Sequence, residues 1–323
     1  MKKIVITGGS GFIGTNLIDY LYKKNFQIVN IDTKSPRNPD QIIYWNQLNI
    51  LDYQELKKKL SEFNPNFICH LAARTDLLGK TLLEYDENIN GTRNLIKASK
   101  ELSSLEKIIF FSSRMVCPIG YQPKSEFDYN PPNKYGESKV LGEKIVREEL
   151  KKSDCSWIIL RPTSIWGPWF DIPYKNFFDL IKSNKYYHPG NKKIEKSFGF
   201  IGNSVYQIYS LLKNNDESSN YKTMYLADYC PIDLERMANS IQKEFNSKNI
   251  KRAPIIILKL LAIIGDVLKV LGYSNPPLTT FRLNNLLTNM IYESKELRTI
   301  ANELPYSMEE GISITCKWMI KNK

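Results

Sequence analysis

The chain has 323 residues, of which 42% are apolar and 24% charged, as is ordinary for a soluble globular protein. Its formal net charge is +11, but the lysines are spread along the chain, and no nucleic-acid-binding motif is visible, which argues against a nucleic-acid partner. A positive surface of this kind favours small anionic substrates.

The cysteines and the first residues indicate a cellular compartment. Five cysteines at wide spacing, without a CxxC pair, argue against a disulfide framework and for a reducing environment. The start, MKKIVITGG, has too short an apolar run for a signal peptide. We therefore predict a cytoplasmic protein.

Short apolar runs alternate with helical segments over the first 165 residues. The runs lack polar alternation, which is typical of strands that are buried on both faces of a parallel sheet. The pattern predicts an α/β fold with a doubly wound parallel sheet (a Rossmann fold). The predicted strands are 3–7, 27–32, 67–73, 107–113 and 156–162, and the predicted helices are 11–25, 53–64, 88–102 and 135–150.

Beyond residue 165 this alternation ends. Prolines and aromatic residues crowd 166–178, a further strand and helix are predicted within 223–245, and the last part of the chain looks largely helical. We predict a nucleotide-binding core at 1–165 and a smaller, mostly helical substrate-binding region at 166–323. Elements such as 223–245 are expected to return to the core.

One long apolar stretch, APIIILKLLAIIGDVLKVLGY at 253–273, approaches the length of a membrane span. Lys259, Asp266 and Lys269 interrupt it, and buried charges within a span are costly, so we predict no transmembrane helix. We favour a core helix, or one that covers the active site, over a helix lying on a membrane surface. Peripheral membrane contact stays open.

The motif TGGSGFIG joins the first strand to the first helix. Gly8 permits a tight turn, Gly11 lets the backbone approach a pyrophosphate, and Gly14 lets the helix pack closely on the strand. The helix that begins around Phe12 and Ile13 offers free N–H groups to the anion. This segment is predicted to bind the phosphates of a dinucleotide.

Asp32 ends the second strand, 18 residues after Gly14. A carboxylate at this place can accept both ribose hydroxyls of NAD and repels a 2′-phosphate. Lys34 and Arg37 follow closely, which keeps NADP open, but we predict NAD.

Tyr135 and Lys139 lie one helical turn apart in PPNKYGESKV, so phenol and ammonium share a helix face. A nearby cation lowers the pKa of a tyrosine, which suits Tyr135 to acid/base catalysis.

Together, the glycine motif, Asp32 and the YxxxK pair resemble the extended short-chain dehydrogenase/reductase superfamily, in its NAD-dependent epimerase/dehydratase branch. The resemblance covers most of the chain and is most specific in the first 165 residues. It implies that Tyr135 exchanges a proton with a substrate hydroxyl and that Lys139 lowers the tyrosine pKa and binds the nicotinamide ribose. It also implies that Ser113 hydrogen-bonds the reacting oxygen, with Ser112 behind it.

Further segments resemble the same family: LNI, HLAAR, ENINGTRNL, FFSSRMVCP, LRPTSIWGP and KSFGFIGNSVYQI. The resemblance implies NAD contacts at Asn49, Ile50, Leu71, Ala72, Ala73, Asn88 and Pro162. It implies substrate contacts at Ser113, Thr163, Ser164 and Lys196. No metal site is predicted.

The resemblance implies an NAD-dependent nucleoside-diphosphate-sugar epimerase or reductase of cell-surface polysaccharide biosynthesis, and a homodimer formed through 88–102 and 135–150. Arg114 and Met115 stand where the family's dehydratases carry an Asp-Glu pair, which argues against a dehydratase. A 3β-hydroxysteroid-dehydrogenase-like oxidoreductase is an alternative because of 253–273. A non-catalytic NAD-binding scaffold is another. The sequence does not distinguish the nucleotide, the sugar, or an epimerase from a reductase.

Overall fold

The structure is a computed structural model that describes residues 1–151, 153, 155–171, 173–273, 276 and 278–322. Its strands are β1 (Lys3–Thr7), β2 (Gln27–Asp32), β3 (Trp45–Gln47), β4 (Phe67–His70), β5 (Lys107–Phe111), β6 (Ser156–Pro162), β7 (Ser164–Trp166), β8 (His188–Pro189), β9 (Glu195–Lys196), β10 (Phe198–Phe200), β11 (Lys222–Leu226), β12 (Ile232–Asp233) and β13 (Arg252–Ala253). Its α-helices are α1 (Phe12–Tyr22), α2 (Tyr53–Phe63), α3 (Thr92–Ser99), α4 (Lys134–Glu149), α5 (Tyr174–Lys182), α6 (Ile201–Lys213), α7 (Leu234–Glu244), α8 (Ile255–Val270), α9 (Thr280–Leu287), α10 (Lys295–Ile300) and α11 (Met308–Lys321).

A seven-stranded parallel sheet forms the centre of the molecule, in the order β11-β6-β5-β4-β1-β2-β3. Alternate strand residues enter two separate cores. Ile4 and Ile6 pack on the face that α1 and α6 cover, whereas Val5 packs on the face that α2, α3 and α4 cover. Because both faces are covered, the central strands are largely apolar. The predicted α/β class with a doubly wound sheet is confirmed.

Local sequence determines where the helices begin. Asp52 caps α2 by accepting from the Glu55 N–H, and Asn133 caps α4 by accepting from the Gly136 N–H. Helix α1 differs, because it begins after Gly11 with no side-chain cap among the described residues. Its first N–H groups are thus left for another partner.

Strand β11 lies at one edge of the sheet, beside β6, although β7–β10, α5 and α6 separate the two strands in the chain. Its register pairs Met224 with Leu160. The segment that follows forms α7, whose residues Met237 and Ile241 pack in the same core as α1. The division of the chain at residue 165 stays a prediction.

The aromatic residues of 166–178 that the structure describes are largely core residues. The Trp166 ring lies 5.8 Å from that of Phe178 and 5.1 Å from that of Phe200, measured between centroids. Phe170 is 3% exposed and contacts Phe178 edge to face. Ile172 lies outside the described residues. This segment therefore joins the region after β6 to the core.

The prediction of a core helix at 253–273 is wrong. The buried residues of α8 are Ala262 and Gly265, and a Cβ at Gly265 would lie 1.7 Å from the carbonyl oxygen of Leu278, which shows how closely the chain before α9 approaches. The opposite side of α8 faces solvent; Ile256, for example, is 70% exposed. None of the described helices has both the length and the apolar character that crossing a bilayer requires.

Candidate active site

The β1–α1 loop forms a close-packed turn at the carboxyl edge of the sheet. Gly8 has φ +72°, and a Cβ there would lie 2.5 Å from the Ala72 nitrogen. A Cβ at Gly14 would lie 2.5 Å from the Gly9 Cα, so α1 packs directly on the loop. The loop and the uncapped start of α1, with Gly11, Phe12 and Ile13, fit a dinucleotide pyrophosphate.

Asp32 lies next to this loop, at the end of β2. Its Oδ2 accepts from the Ser10 N–H (3.1 Å) and its Oδ1 from the Lys34 N–H (2.9 Å). Each oxygen keeps acceptor capacity for a ribose hydroxyl. The nearby Arg37 guanidinium instead donates to the carbonyl oxygen of Trp169 (2.7 Å), so this cation is engaged elsewhere. The arrangement fits NAD better than NADP.

The other predicted cofactor residues border the same edge of the sheet. Leu71 and Ala72 follow β4 and donate to the Thr7 carbonyl oxygen (2.9 Å) and hydroxyl (3.3 Å), which fixes the loop that continues into Ala73. Pro162 ends β6. Ile50 is 4% exposed. The Asn49 side chain accepts from the Leu51 N–H (2.9 Å) and so shapes its own turn.

Asn88 is buried and connects three segments. Its Nδ2 donates to the Arg74 carbonyl oxygen (3.0 Å) and to the Ser138 hydroxyl (2.8 Å), and its Oδ1 accepts from the Arg74 N–H (2.9 Å). It lies in a π-helical turn before α3. The structure thus places Asn88 as a bridge between the loop after β4 and the helix that carries Tyr135.

The three predicted catalytic residues come together where α4 meets the end of β5. A Cβ at Gly136 would lie 2.2 Å from the Met115 carbonyl oxygen, so only glycine lets the start of α4 approach the segment after Ser113 so closely. Ser113 makes a hydrogen bond to the buried Tyr135 hydroxyl. One turn on, Lys139 is also buried, and its Nζ donates to the Phe111 carbonyl oxygen (2.9 Å).

The electrostatics of this trio differ from one expectation. Burial raises the pKa of Tyr135, and the hydrogen bond from Ser113 and the charge of Arg114 oppose that rise. The expected lowering by Lys139 is not seen here, since that ammonium is bound to the Phe111 carbonyl oxygen. Burial lowers the pKa of Lys139 to about 8, against the opposing charge of Glu143. Burial therefore favours the uncharged form of both side chains, the phenol of Tyr135 and the amine of Lys139.

A buried ion pair beneath the trio escaped the sequence analysis. Glu143 and Arg161 have side chains that are each 1% exposed, and Nη2 of the arginine lies 2.7 Å from Oε2 of the carboxylate. Glu143 also accepts from the hydroxyls of Ser112 (2.5 Å) and Tyr129 (2.9 Å). Burial lowers the pKa of Arg161, but Glu143 more than offsets this, so the net shift is upward. The pair ties α4 to β5 and β6.

The predicted substrate residues follow β6 or lie near Arg114. The Thr163 hydroxyl donates to the Leu226 carbonyl oxygen (3.2 Å), and the Ser164 hydroxyl accepts from Tyr174 (2.8 Å). Lys196 is buried and donates to the carbonyl oxygens of Asn285 (2.6 Å) and Thr288. Burial and the charge of Arg114 lower the pKa of Lys196 to about 8. No His, Cys, Asp and Glu cluster in the described part of the chain could hold a metal ion.

A parallel sheet with a glycine loop, an acid after β2 and a Ser–Tyr–Lys set at one edge defines a dinucleotide-dependent enzyme of the short-chain dehydrogenase/reductase type. A sequence model of the NAD dependent epimerase/dehydratase family matches residues 4–222. The chain belongs to this family, as its motifs predict, and it is an NAD-dependent enzyme.

Three known proteins illustrate the similarity. An N-acetyl-alpha-D-glucosaminyl-diphospho-ditrans,octacis-undecaprenol 4-epimerase of Escherichia coli O157:H7 is 25% identical over 323 residues, which cover 98% of this chain and 94% of the relative. A UDP-glucose 4-epimerase of Vibrio cholerae is 30% identical over 219 residues, 65% of this chain and 63% of the relative. The structure of a UDP-glucuronic acid 4-epimerase of Bacillus cereus, in complex with UDP-glucuronic acid and NAD, superposes with a TM-score of 0.76 at 18% identity, covering 99% of this chain and 100% of that chain.

Proposed function

We propose that this enzyme is a 4-epimerase of a sugar that is linked to a diphosphate, with a nucleotide sugar as its first candidate substrate. The observation that carries the proposal is the buried Ser113–Tyr135–Lys139 set beside the glycine loop. The three relatives above are each named as 4-epimerases. A scaffold that only binds NAD would not need all three side chains.

Each member of the set has one role. Tyr135 takes the proton of the sugar hydroxyl and later returns it, and Ser113 donates a hydrogen bond to the reacting oxygen. Lys139 holds the nicotinamide ribose. Bound NAD supplies the acceptor, and then the donor, of the hydride at the sugar carbon. Epimerisation follows when the ketone turns over in the pocket before the hydride returns.

Arg114 and Lys196 support an anionic substrate. The two cations lie close enough for Arg114 to lower the pKa of Lys196, and Arg114 also acts on Tyr135. Among the described residues neither cation has a carboxylate partner, so a diphosphate beside Tyr135 would relieve their repulsion. A steroid would not, which is why we rank the steroid alternative lower.

A sugar diphosphate on a membrane lipid is a second candidate substrate. It is favoured by the exposed apolar side of α8 and by the lipid-linked substrate in the name of the E. coli relative. We also keep two earlier predictions as proposals. The first is a cytoplasmic enzyme, supported by five unpaired cysteines. The second is a homodimer through 88–102 and 135–150, although the exposed residues there are charged ones such as Arg93 and Lys144.

The test uses sugars that carry deuterium on carbon 4. Purified enzyme with less NAD than substrate is incubated with UDP-, GDP- and dTDP-sugars and with a polyprenyl-diphosphate sugar, and the products are identified by NMR. An epimerase converts many substrate molecules per NAD, leaves the deuterium on carbon 4 and accumulates no NADH. A reductase, assayed with a keto-sugar and NADH in place of NAD, would instead oxidise one NADH for each product formed.

Thermal shifts with NAD present rank the ligands. A ligand at a hundred times its Kd should add about 2.7 kcal/mol to the free energy of unfolding. A shift with 3β-hydroxysteroids alone, together with their oxidation, would overturn the proposal. Binding of NAD without turnover of any substrate would favour the scaffold.

A further inference from the structure

Helix α8 presents an apolar surface that the rest of the described chain leaves uncovered. We define its outer face by residues that are between 38% and 87% exposed: Ile256, Ile257, Leu260, Leu261, Ile263, Ile264, Val267, Leu268 and Val270. At 100° per residue these positions cover about half of the helix circumference without a polar interruption. Monomeric proteins rarely leave so continuous an apolar patch in water, so this face needs a partner.

The charges of α8 lie outside this outer face. At about 100° per residue, Lys259 borders it and the acidic Asp266, which accepts from the Thr280 N–H (3.2 Å), lies on the same margin, whereas Lys269 lies on the opposite side of the helix. The exposed aromatic rings of Tyr273 and Phe281 lie at the α8–α9 end. An apolar face with a lysine at its border and aromatic rings at the helix end is typical of a helix lying in a lipid–water interface.

Further lysines surround the start of α8. Lys248 and Lys251 precede it, and the exposed Lys192 lies two residues after Gly190, where a Cβ would lie 3.5 Å from the Ile255 side chain. In the part of the chain that the structure describes, no ion pair includes any of these lysines or the two of α8. Their charges are therefore available to an anionic surface.

We propose that α8 and the start of α9 form a docking surface for an anionic lipid bilayer. The acyl-chain boundary takes up the outer face, and the phosphates of the lipid headgroups neutralise the surrounding lysines. A second copy of the chain fits less well, because two copies facing each other at α8 would bring together the lysines around its start, and the one acid of α8, Asp266, already accepts from the Thr280 N–H. The net charge of +11 acts in the same direction.

The docking surface is connected to the active site. At the C-terminal end of α9, the carbonyl oxygens of Asn285 and Thr288 accept hydrogen bonds from the Nζ of Lys196. The chain then continues to Tyr292, which lies close enough to Arg114 for that cation to oppose the rise in its pKa that burial causes. Docking therefore brings the Arg114–Lys196 cations near the headgroup layer, where a lipid-linked sugar diphosphate would lie. This consequence rests on the proposed function, whereas docking itself does not.

Sedimentation with sucrose-loaded vesicles tests the proposal on the full chain. We expect the protein to co-sediment with vesicles of phosphatidylcholine and phosphatidylglycerol, and to bind pure phosphatidylcholine vesicles roughly tenfold more weakly. About 0.5 M NaCl should weaken the binding to the anionic vesicles. The triple variant Leu260→Gln, Ile264→Gln, Val267→Gln should lose roughly tenfold or more in partitioning.

Two controls make the result specific. The matched variant Ile43→Gln, Leu78→Gln, Leu83→Gln removes three apolar residues outside α8 that are even more exposed, and it should bind vesicles as the unchanged protein does. Tyr135→Phe should also bind normally, because docking does not need turnover. Circular dichroism and NAD binding verify that each variant is folded.

Three outcomes would overturn the proposal. The first is a folded, unchanged protein that binds neither kind of vesicle. The second is equal vesicle binding by the α8 variant and the matched variant. The third is a dimer in light scattering that the α8 substitutions convert to a monomer, without any binding to lipid, which would assign the outer face to a second copy. Vesicle binding without epimerase activity would leave docking intact and refute only the proposed function.

Discussion

Strand β5 and helix α8 are both strongly apolar, yet the structure treats them in opposite ways. All five residues of β5 (Lys107–Phe111) are buried, because β4 and β6 flank it and helices cover both faces of the sheet. Helix α8 packs on one side only and leaves its outer face in solvent. An apolar run in a sequence thus indicates that the segment needs apolar surroundings. The run does not indicate whether the chain itself provides those surroundings.

The largest effect is expected from removing the acid/base at the edge of the buried sheet. Tyr135→Phe keeps the buried ring but removes the acid/base, so turnover should fall by about 10²- to 10⁴-fold. NAD affinity, measured by titration calorimetry, should change little. Retained turnover would disprove the assigned role of Tyr135, and a parallel loss of NAD binding would indicate that the substitution disturbs the site.

The next largest effect concerns the buried ion pair. Glu143→Gln leaves the Arg161 guanidinium buried without a counter-charge, and breaking such a pair costs about 3–5 kcal/mol. Urea unfolding measures the loss. The double variant Glu143→Gln, Arg161→Gln should lose less than the sum of the two single changes. Additive losses would show that the two side chains are not coupled.

A leucine-to-alanine pair tests the contrast between covered and uncovered segments directly. Leu56 of α2 is 0% exposed, whereas Leu260 of α8 is 57% exposed. Leu56→Ala should lower the free energy of unfolding by about 2–5 kcal/mol. Leu260→Ala should change it by at most about 0.5 kcal/mol in the absence of lipid. A similar loss at both positions would mean that another surface covers α8 in solution.

Among the substitutions that should weaken the protein or its site, the smallest loss is expected at the ribose. Asp32→Ala removes the acceptor that we assign to the ribose hydroxyls, and a hydrogen bond to a charged group is worth about 1.5–3 kcal/mol. NAD affinity should fall accordingly, while NADP affinity should fall much less because repulsion of the 2′-phosphate is also removed. Asp40→Ala, at an exposed acid nearby, is the control. Equal losses for both cofactors would place Asp32 away from the ribose.

The parts of the site that were predictable have strict local requirements. Within eight residues, the glycine loop must make a tight turn, let its backbone come close to a pyrophosphate and let α1 pack against it. Gly8, Gly11 and Gly14 meet these three requirements, so their spacing alone predicts the loop. The Tyr135–Lys139 spacing is likewise local, because it is one turn of one helix. The family, the sheet and NAD could therefore be predicted from the sequence.

The parts that escaped prediction depend on distant partners. Glu143 and Arg161 lie 18 positions apart and look like ordinary charges of a helix and a strand end until the fold buries both. The sequence did contain an indication of this pair. Glu143 lies four residues after Lys139, on the same face of α4, and Arg161 is a charged residue within an otherwise apolar strand. The location of α8 had no comparable signal, because its burial depends on what the rest of the chain, or a membrane, places against it.

Strand β11 decides how far this chain can be divided. It pairs with β6 along its whole length, although it lies beyond the segment that carries Trp166 and Lys196. A fragment that stops after β6 would keep the NAD loop and the catalytic set but would expose the backbone of β6 as an open edge, a template for aggregation. The nucleotide-binding part therefore cannot simply be moved into another protein without β11. An engineered chimera with another substrate region must bring its own closing strand.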